Sequence, residues 1–516
     1  MTRITLAAAL ATTILATPAS AQANEEAVAT VIRLMVAEGV LSPEKAEAMR
    51  TRYAGERASR QPPSVVAETP RAMPAASKAV SLPLPTAGGA RLAQELPFDP
   101  SLGRSAPAAS RASDAAAARV RPAQGSLIDR ITLDGDFRIR WQGEFFNKGN
   151  SRTIPDFASI VANGGTNAPI NTYANTDQDR GRIRIRTRVG ITAAVTPRVS
   201  VFFRMAVGND TEPNATNETL GDYFNRDQLV ADRAYIRYQV NKSLAFQGGR
   251  MANPFFSTDM TWDQDLNPEG VALVGEKQIG EGIRLFGTVG AFALQDFLRS
   301  PDRWLHAGQI GLEAPLGPVL SAKVAGTYYH YVNVKGRSGD EASRPGLIVK
   351  GNSLFDVQPA QGRIVPGLAS PFHIGEVTAA ATYSGLAPIV ISLTGEVARN
   401  FAFDRGSVDR LPLLTGTPTG GMAYSTEFRI GSARVARHGD WQAVVTWRRM
   451  ESDSLIDAFT EGDFGLGGTN SQGAYFDLLY GIGANTWIEG LFYNTKSLGQ
   501  QKLDVRMFRA ALLTRF

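Results

Sequence analysis

Arg182-Ile183-Arg184-Ile185-Arg186-Thr187-Arg188-Val189 alternates a positive charge with an apolar or β-branched side chain at every second position. Because successive side chains of a β-strand point to opposite faces, the four arginines share one face and the apolar set takes the other. In a soluble sheet the charged face would be wetted by solvent. In a closed barrel that spans a membrane, it would line a water-filled lumen while the apolar face contacted lipid.

The composition of the chain narrows this choice. It has 516 residues, no cysteine and a hydrophobic fraction of 43%. The mean hydropathy of -0.14 is too polar for a helical membrane protein. After the N-terminal stretch, no run approaches the roughly 20 apolar residues that a spanning helix needs. The absence of cysteine excludes a disulfide scaffold, a thiol nucleophile and thiolate metal sites.

Residues 1–21 predict a secretory signal peptide. Arg3 supplies a positive charge, an alanine-rich apolar stretch runs from Leu6 to Thr17, and Ala19-Ser20-Ala21 has the form of a cleavage site. The alternative is a buried N-terminal helix. A signal peptide implies export, and export argues against a nucleic-acid partner even though the net charge is +5.

Two further segments precede the main part of the chain. Residues 22–53 predict a helical segment with one apolar stripe, either a self-packed helix pair or a coiled-coil contact between copies. The stripe consists of Val28, Val31, Ile32, Met35 and Val36. Residues 54–125 are rich in Ala, Pro, Ser and Arg, and they predict a disordered periplasmic linker.

From residue 126 onward the pattern becomes that of β-strands. Apolar and polar residues alternate from Ile131 to Phe145, and the strand that ends at Thr196 is followed at once by another that begins at Val199. We count about sixteen candidate strands, an even number as in single-chain bacterial barrels. Residues 126–516 are therefore predicted to form an all-β antiparallel transmembrane barrel.

The connections between these strands alternate in length. Long polar loops are expected at 147–178, 209–228, 332–372, 403–421 and 454–472. Short turns are expected at 196–198, 241–243, 316–317, 385–386, 438–439 and 484–485. In an outer-membrane barrel the short turns lie on the periplasmic side and the long loops outside. A soluble sandwich has no reason to keep its long loops at one end.

Several motifs resemble those of the putative porin family of Gram-negative bacteria. They are the first strand Leu133–Arg138, the Arg-Ile stretch at 182–188, Gly249-Arg250, Asn253-Pro254-Phe255-Phe256, Trp262-Asp263, Asp265 and Asn267-Pro268-Glu269-Gly270. The resemblance covers the chain from about residue 24. It implies a pore in the outer membrane behind a helical segment and linker, and it implies no particular substrate. Phe516 resembles the terminal aromatic that the barrel-assembly machinery reads.

Arginines on the early strands are the candidate pore-lining residues. They are Arg138, Arg140, Arg182, Arg184, Arg186, Arg188, Arg204, Arg233, Arg237 and Arg250. Rings of basic side chains in a lumen favour anions. The alternative is that carboxylates neutralise them across the lumen. Those carboxylates are Asp134, Asp136, Glu144, Glu376, Glu396 and Glu427.

The sequence gives less support to a catalytic site or a metal site. The four histidines, His306, His330, His373 and His438, stand in no recognised catalytic motif, so we expect no enzyme and no cofactor. Asp263 to Asn267 has half of a calcium-loop spacing, but Pro268 and Val274 replace the required Gly and Glu. A folded polar loop without a metal ion is the better interpretation.

The sequence thus predicts an outer-membrane porin for passive diffusion of small hydrophilic solutes, biased toward anions. One long loop is expected to fold inward, with 147–178 and 251–269 as candidates. Membrane lipid and, by analogy of fold, two further copies in a homotrimer are the expected partners. One alternative is an anchor that tethers the envelope through residues 22–125, and another is a barrel enzyme.

Overall fold

The computed structural model describes residues 130–516 apart from 209–212, 224, 297–300, 337–347, 349 and 360–361. The predicted signal peptide, helical segment and linker lie outside the described residues and stay predictions. Among the described residues, none of the helices is both long and apolar enough to cross a membrane.

The alternating segments form long antiparallel strands. The strands are β1 (Ile131–Phe146), β2 (Arg180–Thr196), β3 (Val199–Val207), β4 (Leu229–Asn241), β5 (Leu244–Arg250), β6 (Glu269–Gln278), β7 (Arg284–Gln295), β8 (Arg303–Pro315), β9 (Leu320–Val332), β10 (His373–Leu386), β11 (Ile389–Asn400), β12 (Met422–Ser432), β13 (Trp441–Met450), β14 (Ser471–Gly483), β15 (Thr486–Ser497) and β16 (Asp504–Arg515). Each pairs with the next, and β16 pairs with β1, so the sheet closes on itself. The predicted antiparallel barrel of about sixteen strands is confirmed.

Short elements lie in the connections. Helix α1 (Phe157–Ala162) and the single turn α2 (Arg405–Val408) are both capped by an aspartate, Asp156 and Asp404 respectively. The remaining short pieces are the 3₁₀ turns Asp457–Phe459 and Phe464–Leu466, the strand Glu218–Thr219 beside β2, and the paired strands Thr166–Asn167 with Arg363–Ile364 and Leu354–Asp356 with Pro366–Leu368.

The two faces of the wall are opposite in character to those of a soluble protein. On β1 the apolar Phe137, Ile139 and Trp141 are about two-fifths exposed, while Arg138 and Arg140 are only 3% and 2% exposed. The same alternation runs through the other strands. An apolar outer surface and a polar interior are what a barrel in lipid requires.

The long connections leave the barrel at one end, which we call the long-loop end. They span residues 147–179, 208–228, 251–268, 333–372, 401–421 and 451–470. The opposite, short-turn end carries connections of two to five residues, with the single exception of residues 433–440 among the described turns. The predicted alternation of short and long connections is therefore confirmed.

The turn predicted at His438-Gly439 is an eight-residue connection, 433–440, instead of a tight turn. The carboxylate of Asp440 accepts hydrogen bonds from the backbone N–H groups of Ala436 and Arg437 at 3.0 and 2.8 Å, which closes a local loop. Val435 is thereby buried against Leu479, Trp487 and Leu513. Side-chain capping and apolar burial decide this turn, and neither is visible in the strand pattern.

The last residue takes part in closing the barrel. The backbone N–H of Phe516 donates to the carbonyl of Gly135 at 3.1 Å, and Gly135 N–H donates to the Phe516 carbonyl at 3.0 Å. The Phe516 ring lies over Gly135, where a Cβ would come within 2.4 Å of the ring and 2.6 Å of the Arg188 carbonyl oxygen. A glycine at this position lets the terminal ring pack flat on the first strand.

Substitution Gly135→Ala should weaken this closure. The added methyl meets backbone on one side and the Phe516 ring on the other, so we expect a loss of about 1–3 kcal/mol in the free energy of unfolding. The measurement is the urea midpoint of the barrel refolded in detergent. Gly326→Ala on β9 is the matched control, since nothing lies within 4 Å of its added Cβ. Equal midpoints for the two variants would refute the role of the terminal ring.

Candidate functional site

The connection between β5 and β6, residues 251–268, folds into the lumen, and we call it the inward loop. Met251, Phe255, Met260 and Trp262 of this loop are at most 4% exposed. The Trp262 ring stacks on Phe459 with centroids 5.8 Å apart. Burying such side chains contributes roughly 1.5–3 kcal/mol each, which explains why this loop turns inward.

The first of the two candidate loops also joins this packing. Phe157, Ile160 and Val161 of α1 belong to the same buried apolar cluster as Met251 and Trp262. Of these two candidates, residues 251–268 are the ones with described hydrogen bonds to inward-facing strand side chains. The prediction that 251–269 folds inward therefore matches the structure, and 147–178 packs beside it.

Two arginines of the Arg-Ile stretch hold one end of the inward loop. Arg188 contacts the carboxylates of Asp136 and Asp265 at 2.7 and 2.9 Å. Arg186 contacts the same two carboxylates at 3.0 and 3.4 Å. Asp136 belongs to β1 and Asp265 to the loop, so the two guanidinium groups connect the wall to the loop.

The other contacts of the inward loop reach around the barrel. Thr261 donates to Glu396 on β11 at 2.7 Å, and the backbone N–H of Thr258 donates to the same carboxylate. Asp259 forms an ion pair with Arg448 on β13. Asn267 donates to Asp232 on β4 at 2.7 Å. The loop is thus bonded to widely separated strands of the wall.

A second loop enters the lumen between β13 and β14, residues 451–470, and we call it the second inward loop. Asp463 contacts Arg140 on β1 at 3.1 Å and Arg509 on β16 at 2.6 Å. Glu461 accepts a hydrogen bond from the Tyr493 hydroxyl at 2.9 Å. Both inward loops therefore present carboxylates to the same arginine-bearing part of the wall.

Arginines of the wall decide the ionisation of the two loop carboxylates, Asp265 and Asp463. Burial alone would raise the pKa of Asp265, but the charges of Arg186 and Arg188 outweigh it and lower the pKa to about 2. Burial also opposes ionisation of Asp463, yet Arg140 and Arg509 hold its pKa well below the usual range. Both carboxylates are therefore ionised at neutral pH, and their contacts weaken only in strong acid.

Nine of the ten predicted arginines share the inward face of their strands. Arg138 lies directly opposite Arg186, and Arg140 opposite Arg184, so like charges face one another across β1 and β2. The contacts of the remaining members are Arg138 and Arg184 to Asn217, Arg182 to Glu144, Arg204 to Asp232, Arg233 to Asn267 at 2.6 Å and Arg237 to Gln239 at 3.5 Å.

Arg250 does not follow the prediction that it lines the pore. It stands opposite Ala234 and Glu269, whose neighbours on the same face are the exposed Ile236 and Val271. Its guanidinium pairs with Glu269 at 2.7 Å, and both side chains are more than one-third exposed. The inward Tyr235 and Arg237 of β4 stand opposite Gly249 and Gln247, so the alternation places Arg250 on the outward face of β5.

The carboxylates proposed to neutralise the arginines act locally. Asp136 binds Arg186 and Arg188 on the neighbouring strand, Glu144 binds Arg182, and Glu427 binds Arg429 on its own strand. Glu396 instead binds the inward loop. The neutralising charges that sequence reasoning missed are Asp232, which pairs with Arg204 on the neighbouring strand, and the loop carboxylates Asp265 and Asp463. A contact between a loop and a distant strand leaves no periodic signal.

The histidines form no catalytic pair. His306, His330 and His373 lie side by side on the outer face of β8, β9 and β10, and His306 faces Ala291 on its other side. Within the described strands, therefore, no serine or aspartate stands directly opposite His306 or His330. His438 lies in the connection 433–440 beside Tyr480.

The half-motif for calcium is part of the inward loop. Asp263 accepts hydrogen bonds from the backbone N–H groups of Asp265 and Gly462 at 2.7 and 3.2 Å. Burial, together with the charge of Asp265, raises the pKa of Asp263. In the part of the chain that is described, no group of three or more acidic or histidine side chains is arranged to hold a metal ion.

Comparison with known proteins places this barrel in a family. Residues 25–516 match the family described as "Putative porin". The chain belongs to this porin family. Membership assigns it to the outer membrane and to a channel role in general terms, and both agree with the apolar outer face. A search of curated proteins found no match.

Several solved structures match this chain at low sequence identity. The outer membrane channel DcaP of Acinetobacter baumannii is 9% identical over 75% of this chain and 97% of its own, with a TM-score of 0.40. OmpF of Salmonella typhi, in complex with daunomycin, is 8% identical over 75% and 99%, with a TM-score of 0.43. The loop L8 deletion mutant of OmpT from Vibrio cholerae is 10% identical over 75% and 100%, with a TM-score of 0.40.

Substitution Asp265→Asn should loosen the inward loop. The amide keeps the shape but loses the charge that faces Arg186 and Arg188, and hydrogen bonds to charged groups contribute about 1.5–3 kcal/mol. We expect the displaced state of the loop to become roughly tenfold or more populated. Single-channel recording should then show more frequent transitions to a larger conductance. Glu269→Gln, at the first residue of β6 and directly after the loop, is the control and should leave the trace unchanged. Identical traces for wild type and Asp265→Asn would contradict the anchoring role.

Proposed function

We propose that this porin is a passive diffusion channel for small hydrophilic solutes, narrowed by its two inward loops and biased toward anions. The observation that carries the bias is the charge of one part of the wall. We call the inward faces of β1, β2 and β16 the arginine wall. It carries nine arginines against three carboxylates, Asp134, Asp136 and Glu144.

The inward loops leave an excess of positive charge on the arginine wall. They add two carboxylates to it, Asp265 and Asp463. Positive charge that is not balanced nearby raises the local concentration of anions, most strongly in a narrow, low-dielectric passage. An anionic solute that passes along this wall would be stabilised by the field of these arginines, most of which lie buried beneath the loops.

Carboxylates on the opposite part of the lumen support an electric field directed across the pore. Glu376 and Glu396 lie on the inward faces of β10 and β11, and both accept from Thr378 at 3.1 and 3.3 Å. The inward loop spans between them and the arginine wall, with Thr261 at the acidic side and Asp265 at the basic side. Solutes with a separated dipole would be oriented as they pass.

The double variant Arg138→Gln with Arg184→Gln tests the anion bias. Both side chains contact Asn217, so the cluster of Asp136, Arg186 and Asp265 that holds the loop stays intact. We expect the reversal potential under a salt gradient to move from the anion side toward zero, because two lumen charges are removed. Bilayer recording of purified protein provides the measurement.

Arg250→Gln is the matched control for this pair, since it removes an arginine from the outer side of the wall. It should leave the reversal potential unchanged. A pore that is cation-selective in the wild type, or an equal shift in both proteins, would refute the proposal while leaving the channel itself established by its conductance.

Three further points belong to the same proposal. The barrel would assemble as a homotrimer, Phe516 would be read by the assembly machinery, and the N-terminal segment would lie in the periplasm. The short-turn end, which carries both β1's start and Phe516, supports the last point. The tether alternative concerns residues 22–125, and a peptidoglycan pull-down with the full chain and with a chain lacking 22–125 would test it.

A further inference from the structure

Three of the four histidines form a row on the outside of the barrel. His306 of β8 faces His330 of β9, and His330 faces His373 of β10, each directly across the sheet. The ring centroids are 6.4 Å apart in the first pair and 4.3 Å apart in the second. All three share the exposed face with apolar residues such as Ile310 and Val377. We call them the histidine row.

Arg399 extends the row to the fourth strand. It stands opposite Gly375, two residues from His373, and its side chain is exposed. Its guanidinium carbon lies 5.5 Å from the centroid of the Phe401 ring, and that ring covers Gly375. The Arg399 side chain therefore lies on the outer surface beside the histidines. We call the histidine row together with Arg399 the outer patch.

This patch is exceptional on its part of the barrel. Among the described residues, the outward faces of β8 to β11 hold apolar, small or tyrosine side chains apart from these four. The four ionisable groups are thus not scattered over the wall. They all lie near the long-loop end, where the strands leave the apolar band.

The position of the patch matches the depth of lipid headgroups. Trp304 lies beside His306 with ring centroids 6.4 Å apart, and Tyr328 is two residues from His330 on the same face. Aromatic side chains mark the membrane–water interface of barrels. Polar and ionisable groups on a lipid-facing wall are costly at the midplane and tolerated at this level.

We propose that the histidine row and Arg399 bind a phosphate group of the lipids in the outer leaflet. A phosphate offers acceptors to imidazole N–H and guanidinium donors at once, and Arg matches its geometry. The ring centroids of neighbouring histidines are 6.4 and 4.3 Å apart, so one phosphate group can reach donors from more than one strand.

Two other occupants fit the patch less well. A metal ion held by all three rings would need them to converge, whereas the outer pair is separated by the full width of the sheet repeat and no three-ligand group exists among the described residues. A second copy of the chain would bury like charges against one another if the same patch met itself, and buried like charges are unfavourable.

The test is lipid binding by the full-length protein in detergent, followed by native mass spectrometry with bisphosphorylated lipid A, its dephosphorylated form and phosphatidylcholine. We expect selective retention of the bisphosphorylated lipid. Inorganic phosphate at equal concentration should compete weakly, which separates a headgroup from a free anion.

The variant His306→Gln with His330→Gln and His373→Gln should lower retention about tenfold, since it removes three imidazole groups that can donate to the phosphate. Arg399→Gln should lower retention as well. His438→Gln, which changes the one histidine at the opposite end of the barrel, is the matched control and should behave as the wild type.

Several outcomes would overturn the proposal. Equal retention by the triple variant and the control would do so, as would equal retention of the dephosphorylated lipid. A change in oligomeric mass in the triple variant, with lipid binding unchanged, would assign the patch to contact between copies instead. If the triple variant does not fold, His330→Gln alone, at the centre of the row, carries the same test. Ion selectivity should be unaffected, so this result is independent of the anion bias proposed above.

Discussion

The pairing of β16 with β1 is the constraint on which the rest of the structure depends. In lipid no water satisfies a free sheet edge, so a spanning sheet must close completely. Closure fixes the register of every strand, and the register then decides which side chains face inward. Phe516 and Gly135 lie at this seam and bond to one another through both backbone groups. Without closure the arginines of β2 would have no lumen to face.

An interior lined by arginines also requires carboxylates nearby, because a buried charge without a partner is strongly unfavourable. The strands alone leave Arg186 and Arg188 to share Asp136, and Arg140 lies opposite another arginine. The inward loops supply the missing carboxylates at two separate points of the wall. The charge of the wall therefore contributes to the folding of the loops. The loops enter the lumen in part because the arginines of the wall attract their carboxylates.

The sequence predicted the strands well because period-two alternation is a local property that survives in any sheet with one apolar face. Nine of the ten arginines named from the sequence face inward, since one correctly placed residue on a strand fixes its neighbours. Arg250 was wrong because β5 pairs with β4 so that Gln247 and Gly249 stand opposite the inward Arg237 and Tyr235, which leaves Arg250 on the alternate face. The partners of the arginines, Asp265 and Asp463, lie in loops, where no repeat links them to a strand.

The outer surface and the lumen of this barrel place basic side chains in different surroundings. Within the lumen, guanidinium groups are crowded and fixed by carboxylates, so their field acts on whatever passes. Outside, His306, His330 and His373 lie in a row at the rim, beside Arg399 and away from described carboxylates on the same strands. A lipid-facing charge that has no protein partner is stable only where the membrane itself provides one. The outer patch is therefore complementary to the lipid headgroups around it, as the inward arginines are complementary in charge to the carboxylates of the loops.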